Sequence, residues 1–502
     1  MVLSFFLAML PIVWLFVALA GLRMAAWRAG LIGLVLTTVL ALSYWHMRPE
    51  DAATAAVEGW LTAIWPICGI IVAVLFTYQL TVESGAMAVL QKWLSSLSDD
   101  PRVLVLLIVW GFGNFIEGVA GFSTSVAIPA AMLAAMSMAP VTAVTAALVA
   151  NAMPTPYGSV GIGTTMAAVV TGTSGADLAA ATAVLEALLI LATPFVLVVI
   201  AGGGPGALGG MWRMTAAASL AFALPCFFFA RVSGEALPDI AGSVCTMAAV
   251  AYLARRRRSP SAGTSAIQPR EVLRAASTYL FILAFLMLTS RLVPPVFAAL
   301  SRVRTQLTVY SGAEPLTLDF NWLTSPALWL ALAGLLGAAA ARMPLKTAGA
   351  VFGGTLRRYR ATLATVMTIL ACARVIPYSG MISDIAAFLA FGLGMAYPLA
   401  APAVGALGGF VTGGSTATSL LFAPLQHQTA AVLGITEEWL IASNTMGAGV
   451  GKMVCLKSLT IGCAAAGIEG REGDCMRRAL PYAAAYLAVC CLSTFICVLL
   501  RG

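Results

Sequence analysis

Gly113-Asn-Phe-Ile-Glu117-Gly-Val-Ala-Gly121-Phe-Ser-Thr-Ser125 is the stretch on which the fold turns. It follows an apolar run suited to membrane depth, yet it carries glycines, hydroxyls and a carboxylate that compete with a continuous helix for backbone hydrogen bonds. In hydrocarbon, irregular backbone is tolerated only where it is buried in protein or lines a cavity, because unpaired N–H and C=O groups have no water to turn to. The stretch therefore predicts a broken helix facing a cavity.

The interrupted character extends over residues 111–172 and returns over residues 405–467, where Gly409-Phe-Val-Thr412-Gly-Gly-Ser415-Thr-Ala-Thr418 repeats the mixture. Phe115, Gly118 and Pro129 fall opposite Phe410, Gly413 and Pro424 at one constant offset. After a short shift, Asn151, Met153 and Gly158 fall opposite Asn444, Met446 and Gly451. Chance matching in a Gly- and Ala-rich chain is the alternative. Paired Gly/Pro-interrupted apolar segments mark a transporter built from inverted repeats, with substrate and coupling-ion sites at the repeat interface.

Composition makes the same demand over the whole chain. Of 502 residues, 61% are hydrophobic and 10% charged, against about a quarter charged in soluble domains. Runs such as 2–22, 179–201 and 478–500 are long enough to cross ~30 Å of hydrocarbon as helices of ~20 residues. They are continuous rather than alternating, which excludes a barrel. The expected fold is an all-α polytopic membrane protein with about 12 spans plus re-entrant or broken helices. Residues 1–254 form the N-terminal repeat half, 255–271 a cytoplasmic linker and 272–502 the C-terminal half. The first segment has no basic lead-in and reads as a retained helix.

The net charge of +8 sits in short loops beside apolar runs, as in Arg255–Arg258 with Arg270 and Arg274, and in Arg342, Lys346, Arg357, Arg358 and Arg360. This is the positive-inside pattern, with anionic lipid headgroups and not nucleic acid as the neighbour. The polar stretch from Ser301 to Asn321 then falls outside. Ten cysteines lie scattered in apolar sequence without metal spacing. No phosphate loop, metal cluster or catalytic order occurs, so neither a cofactor nor an enzyme is expected.

Broken segments can hold a carboxylate without a full positive charge. Gly allows close approach, Ser and Thr donate, and a helix resuming after the break offers free N–H groups. The substrate-binding candidates are Gly118, Gly121, Ser123, Thr124, Ser125, Asn151 and Tyr157 in the first region. In the second they are Thr412, Gly413, Gly414, Ser415, Thr416, Thr418, Asn444 and Lys452. The competing reading is that small residues only let helices pack, and Lys452 and Lys457 could be loop charges. Glu117 cannot stay charged and unpaired in hydrocarbon, so it should face a cavity, pair with a cation or take a proton; capping the broken helix is the alternative. Glu186 and Asp239 are embedded in apolar sequence with nothing polar beside them. Arg374, with Tyr378 and Ser379 just after it, is an isolated cation that could meet the substrate or Glu117, or snorkel to the interface. His427 could relay protons or lie at a polar hairpin tip.

The run from Phe115 to Ile128 resembles the signature of the lactate permease family. Thr81–Gly85, Asp99–Arg102, Asn151, Tyr378–Gly380, Leu421–Phe422, Leu425–Gln426, Asn444–Thr445 and Gly451–Met453 resemble its other blocks in the same order. The resemblance implies a proton-coupled symporter of lactate or glycolate in the bacterial inner membrane. It also implies membership of a wider ion-transporter group, many of whose members are elevator-type homodimers. Another small organic anion, or a passive anion channel, are the alternatives. Ser123 and Ser125 stand where the family has Gly and Pro, Gly414–Thr418 replaces an Asn-rich break, and Arg374 stands where no charge is expected. These departures could favour a more acidic or more hydroxylated anion.

Overall fold

The computed structural model describes the chain except for residues 1, 19–21, 23, 122–123, 137, 258–267, 313–316 and 502, and except for the side chains of residues 16, 257 and 501. Nine of the described helices are long and apolar enough to cross a membrane, or up to ten if Glu437–Lys452 and Leu456–Ala465, bent by 44° at their junction, make one span. That is fewer than the apolar runs suggest, because Val2–Leu15 and Pro326–Ala340 are apolar but short, as are Thr124–Ala135 and Pro140–Ala150. The proposed linker lies largely outside the described residues; its flanks end Pro238–Arg257 and begin Pro269–Thr289.

Burial ranks the helices. In Pro101–Val119, 94% of the apolar window is buried, against 28% in Glu472–Leu500. The helix leading into the broken stretch is thus at the centre of the bundle. Part of it, Val105–Gly113, is wound as a π-helix, a local widening that often accompanies function.

The first break falls where the sequence places it. Pro101–Val119 stops, Gly121 takes a left-handed φ of +61°, and Thr124–Ala135 resumes. Ser159 Oγ donates to the freed Ala120 carbonyl at 3.0 Å. A Cβ on Gly121 would lie 2.2 Å from Ser159 Oγ, so the position requires glycine. The second break lies between Tyr397–Thr412 and Ser415–Leu433. Gly413 is left-handed at +79°, and the Thr412 and Thr418 hydroxyls donate to the Gly414 carbonyl at 3.1 and 2.8 Å.

Both breaks converge on one turn. Gly158–Thr171 begins with Ser159, Val160 and Gly161 all at positive φ, a conformation L-residues adopt only when surroundings force it. Ser159 meets the first break, while Ser415 of the second donates to the Thr155 carbonyl at 2.9 Å and lies against Gly163 so closely that a Cβ there would sit 2.1 Å from Ser415 Oγ.

One element adds to the helical picture. Arg304–Thr308 (β1) and Thr317–Asn321 (β2) pair antiparallel, Arg304 opposite Asn321 and Thr308 opposite Thr317. The polar stretch expected as an external loop is therefore a hairpin. Leu318 and Phe320 alternate inward and supply its buried face, a period-two signal too short to stand out among polar neighbours.

Candidate functional site

Both interrupted regions contribute to a cavity of about 340 Å³. Glu117, Thr155, Gly158 and Ser159 come from the first interrupted region. Thr412, Gly413, Gly414, Ser415, Thr416 and Lys452 come from the second. Trp27, Ile71, Thr365, Ile369 and Lys457 also line it.

At its floor lies a buried ion pair. Lys452 Nζ donates to Glu117 Oε1 at 2.7 Å, and both side chains are 4% exposed. Glu117 Oε2 accepts from Ser125 Oγ at 2.5 Å and from Asn151 Nδ2 at 3.0 Å. Asn151 Nδ2 also reaches Ser125 Oγ at 2.9 Å, and Thr155 Oγ1 lies 3.5 Å from Lys452 Nζ. The carboxylate is thus held by one cation and two neutral donors, which charge-assisted hydrogen bonding favours. The local sequence permits it: a Cβ at Gly158 would come within 2.6 Å of Glu117 Oε1. Lys452 is the last residue of Glu437–Lys452, so its ammonium projects into the cavity from a helix end and not from a loop.

Other candidates lie elsewhere. Gly118 packs against Asp239, whose Oδ2 would be 2.8 Å from an added Cβ; Ser243 Oγ donates to Asp239 Oδ1 at 3.2 Å. Asp239 is therefore not without polar company. Glu186, by contrast, is fully buried with neither carboxyl oxygen hydrogen-bonded. Thr124 Oγ1 donates to the Gly121 carbonyl at 2.6 Å, within the first break, and Thr418 bonds within the second break. Tyr157 donates to the Ala179 carbonyl at 2.8 Å, deep in packing. Asn444 is buried, its amide makes no hydrogen bond, and it does not line the cavity. Ser123 lies outside the described residues.

Arg374 neither snorkels nor reaches Glu117. It is 4% exposed, lies 3.2 Å from the fully buried Glu58 and donates to the Val169 carbonyl at 3.0 Å. Tyr378 donates to Glu58 Oε1 at 3.0 Å and stacks on Tyr310 with ring centroids 3.7 Å apart, while Ser379 turns back to Ile376. Arg374 lines a second cavity of about 410 Å³ with Val160, Thr165, Glu235 and the hairpin residues Leu318–Asn321. The left-handed turn separates the two spaces, Ser159 facing the first and Val160 the second. Nor is His427 at a hairpin tip: it sits within Ser415–Leu433, its Nδ1 against the Glu437 carboxylate, and it lines neither cavity.

Sequence reasoning missed Glu58, Thr155 and Ser159. A lone Glu in the apolar run from Ala52 to Thr62 could have announced Glu58, and Thr155 follows Asn151 at helical spacing. Nothing local announces that Ser159 closes a break some forty residues earlier.

The family profile described as L-lactate permease matches residues 4–501. An L-lactate permease of Streptococcus iniae is 37% identical over 446 residues, covering 88% of this chain and 94% of the relative. Glycolate permease GlcA of Escherichia coli K12 is 30% identical over 529 residues, covering 97% and 94%. Among solved structures, that of Neisseria gonorrhoeae MtrF, described as illuminating a class of antimetabolite efflux pumps, superposes with a TM-score of 0.52 at 16% identity, covering 95% of this chain and 96% of that one. At that identity the likeness concerns the fold.

Proposed function

Given that the chain belongs to the L-lactate permease family, we propose that it is a secondary active transporter that carries lactate, glycolate or a related small 2-hydroxy monocarboxylate across the bacterial inner membrane together with a proton. It is a transporter and not an enzyme. The observation that carries the reading is the Glu117–Lys452 pair at the floor of a cavity walled by both broken segments.

An incoming carboxylate and Glu117 compete for the same ammonium. With the site empty, Lys452 and Glu117 sum to zero charge. When the anion takes Lys452, Glu117 loses its counter-charge, and an unpaired carboxylate in this setting costs several kcal/mol. A proton on Glu117 removes that cost, and the loaded site again sums to zero. Anion and proton therefore move together because either alone leaves net charge buried. The hydroxyls of Thr412, Ser415 and Thr416 beside the cavity offer neutral donors and acceptors to a 2-hydroxy group. Ser125, one of the departures from the family's pattern, serves Glu117 and not the substrate in this scheme.

The two interrupted regions are taken as inverted repeats whose breaks meet at the site, and the site-bearing helices as the moving body of an elevator-type homodimer. Their convergence on the single turn at Ser159–Gly161 supports this. The test is uptake of labelled L-lactate and glycolate into proteoliposomes. Glu117→Gln should keep exchange across the membrane while abolishing accumulation driven by an inward proton gradient. Continued pH-driven accumulation in that variant would move the proton to another group. Flux that never runs uphill in the unaltered protein would make it a passive channel.

A further inference from the structure

A third cavity, of about 470 Å³, lies away from both polar spaces. One wall is a stripe of Pro269–Thr289, in which Pro269, Val272, Leu273, Ala276, Leu280 and Leu283 recur at helical spacing. The facing wall is Val244, Met247 and Ala248 of Pro238–Arg257. Its inner end is closed by Phe112 and Phe115, the latter edge-on to Tyr279 at 4.7 Å and two residues before Glu117. Its other end carries Arg255.

The two walls belong to different packing groups. Pro238–Arg257 lies tightly on the broken helix: a Cβ at Gly111 would sit 2.7 Å from Met247 Cγ, and one at Gly118 would sit 3.0 Å from Ile240. Pro269–Thr289 packs instead on Pro326–Ala340 and Ala86–Ser95, with Thr278 seated against Gly337. The cleft is therefore a seam between the helices that carry the site and their neighbours. Its inner lining is apolar, Leu273 and Leu280 open it sideways at 62% and 46% exposure, and no described residue forms an ion pair with Arg255 or Arg270. Arg255 is exposed at the mouth, as are its neighbour Arg256 and Arg270, which follows the lining residue Pro269 and precedes the exposed Glu271.

We propose that this cleft binds one anionic phospholipid, its acyl chain between the two helices and its phosphate at Arg255 and Arg270. The charge at the mouth selects the headgroup, and the length of apolar wall running to Phe115 takes the chain. A fluid chain there fills the seam without bonding its walls together, so the site-bearing helices can shift against Pro269–Thr289 without opening a void.

The occupant can be read with a phosphatidylglycerol carrying a photoreactive group at the end of one acyl chain, added to the full-length protein in phosphatidylcholine vesicles. Cross-links should map to the peptides containing Phe112, Met247 and Ala276. Arg255→Gln should lower labelling by phosphatidylglycerol about fivefold, the worth of one basic residue at an anionic headgroup; Arg255→Lys should restore it, and Ala276→Trp, which fills the cleft, should abolish it in protein that still elutes as one species. Equal labelling by a phosphatidylcholine probe, or no fall in Arg255→Gln, would overturn the proposal in favour of bulk lipid. No labelling, together with a Leu273→Cys variant that cross-links to a second copy, would overturn it in favour of a protein partner.

Discussion

Two buried ion pairs sit on opposite sides of the left-handed turn at Ser159–Gly161, and their surroundings differ. Glu117–Lys452 and Glu58–Arg374 each join a carboxylate to a cation from the other half of the chain, at 2.7 and 3.2 Å, and all four side chains are at most 4% exposed. Around Lys452 the cavity offers hydroxyls, backbone at the second helix break and a second lysine, Lys457. Around Arg374 the cation is already held by Glu58 and the Val169 carbonyl, and its cavity carries Glu235 and Asp319. The first pair presents to its cavity a cation for which an anion can compete; the second leaves Arg374 Nε and Glu58 Oε2 without hydrogen bonds but sits in acidic surroundings that disfavour an anion. Burial alone therefore does not separate the two pairs; the charge and donors of the surrounding cavity do.

The largest expected effect removes the cation of the first pair. Lys452→Met leaves Glu117 buried without a counter-charge, a change worth about 3–5 kcal/mol, and takes away the anchor for the anion, so uptake should fall by at least ~100-fold. Labelled-lactate uptake by variant protein that still purifies as a single species checks this, and uptake near the unaltered level would erase the distinction between the pairs. Next comes the second pair. Arg374→Gln should cost stability on the same scale of about 3–5 kcal/mol, read as a lowered melting temperature, with Glu58→Gln added to it recovering most of the loss. Substrate affinity should stay close to the unaltered value; a large loss of affinity in the double variant would make Arg374 a substrate ligand after all.

A smaller effect sharpens the first pair from within. Ser125→Ala removes one of the donors to Glu117, a hydrogen bond to a charged group worth ~1.5–3 kcal/mol. Proton-driven uptake of labelled lactate should fall by about tenfold, the equivalent of ~1.5 kcal/mol, because the carboxylate loses a favourable contact. Uptake at the unaltered level would place Ser125 outside the coupling network. The smallest effect is at His427, whose pairing with Glu437 is over a third exposed on both sides. His427→Gln should change stability by no more than ~1 kcal/mol and leave accumulation intact; lost coupling there would return His427 to the proton path.

Much of the site was legible in the chain. Glu117 in a glycine- and hydroxyl-rich break was expected to face a cavity, pair with a cation, take a proton or cap the broken helix, and it pairs with Lys452; the matched spacing around Gly118 and Gly413 marked two interrupted regions, and both contribute residues to one cavity. Asn151 was singled out as a repeat position and lies at the carboxylate. Its counterpart Asn444 does not, which shows that matched positions need not share a role. Arg374 was visible as an isolated intramembrane cation, but its partner was not, since Glu58 carries no local pattern beyond being a lone acid in an apolar helix.

The sequence by itself determined that this is a helical membrane protein with two interrupted regions, because burial cost in hydrocarbon acts on each segment separately and leaves its mark in composition and spacing. Only the tertiary structure decided that Lys452 and not Arg374 answers Glu117, that Ser159 closes the first break, and that Glu58 claims the arginine. Those choices depend on which helix faces meet across hundreds of residues, and Coulomb attraction between groups a few ångströms apart leaves no trace in the linear order of the chain.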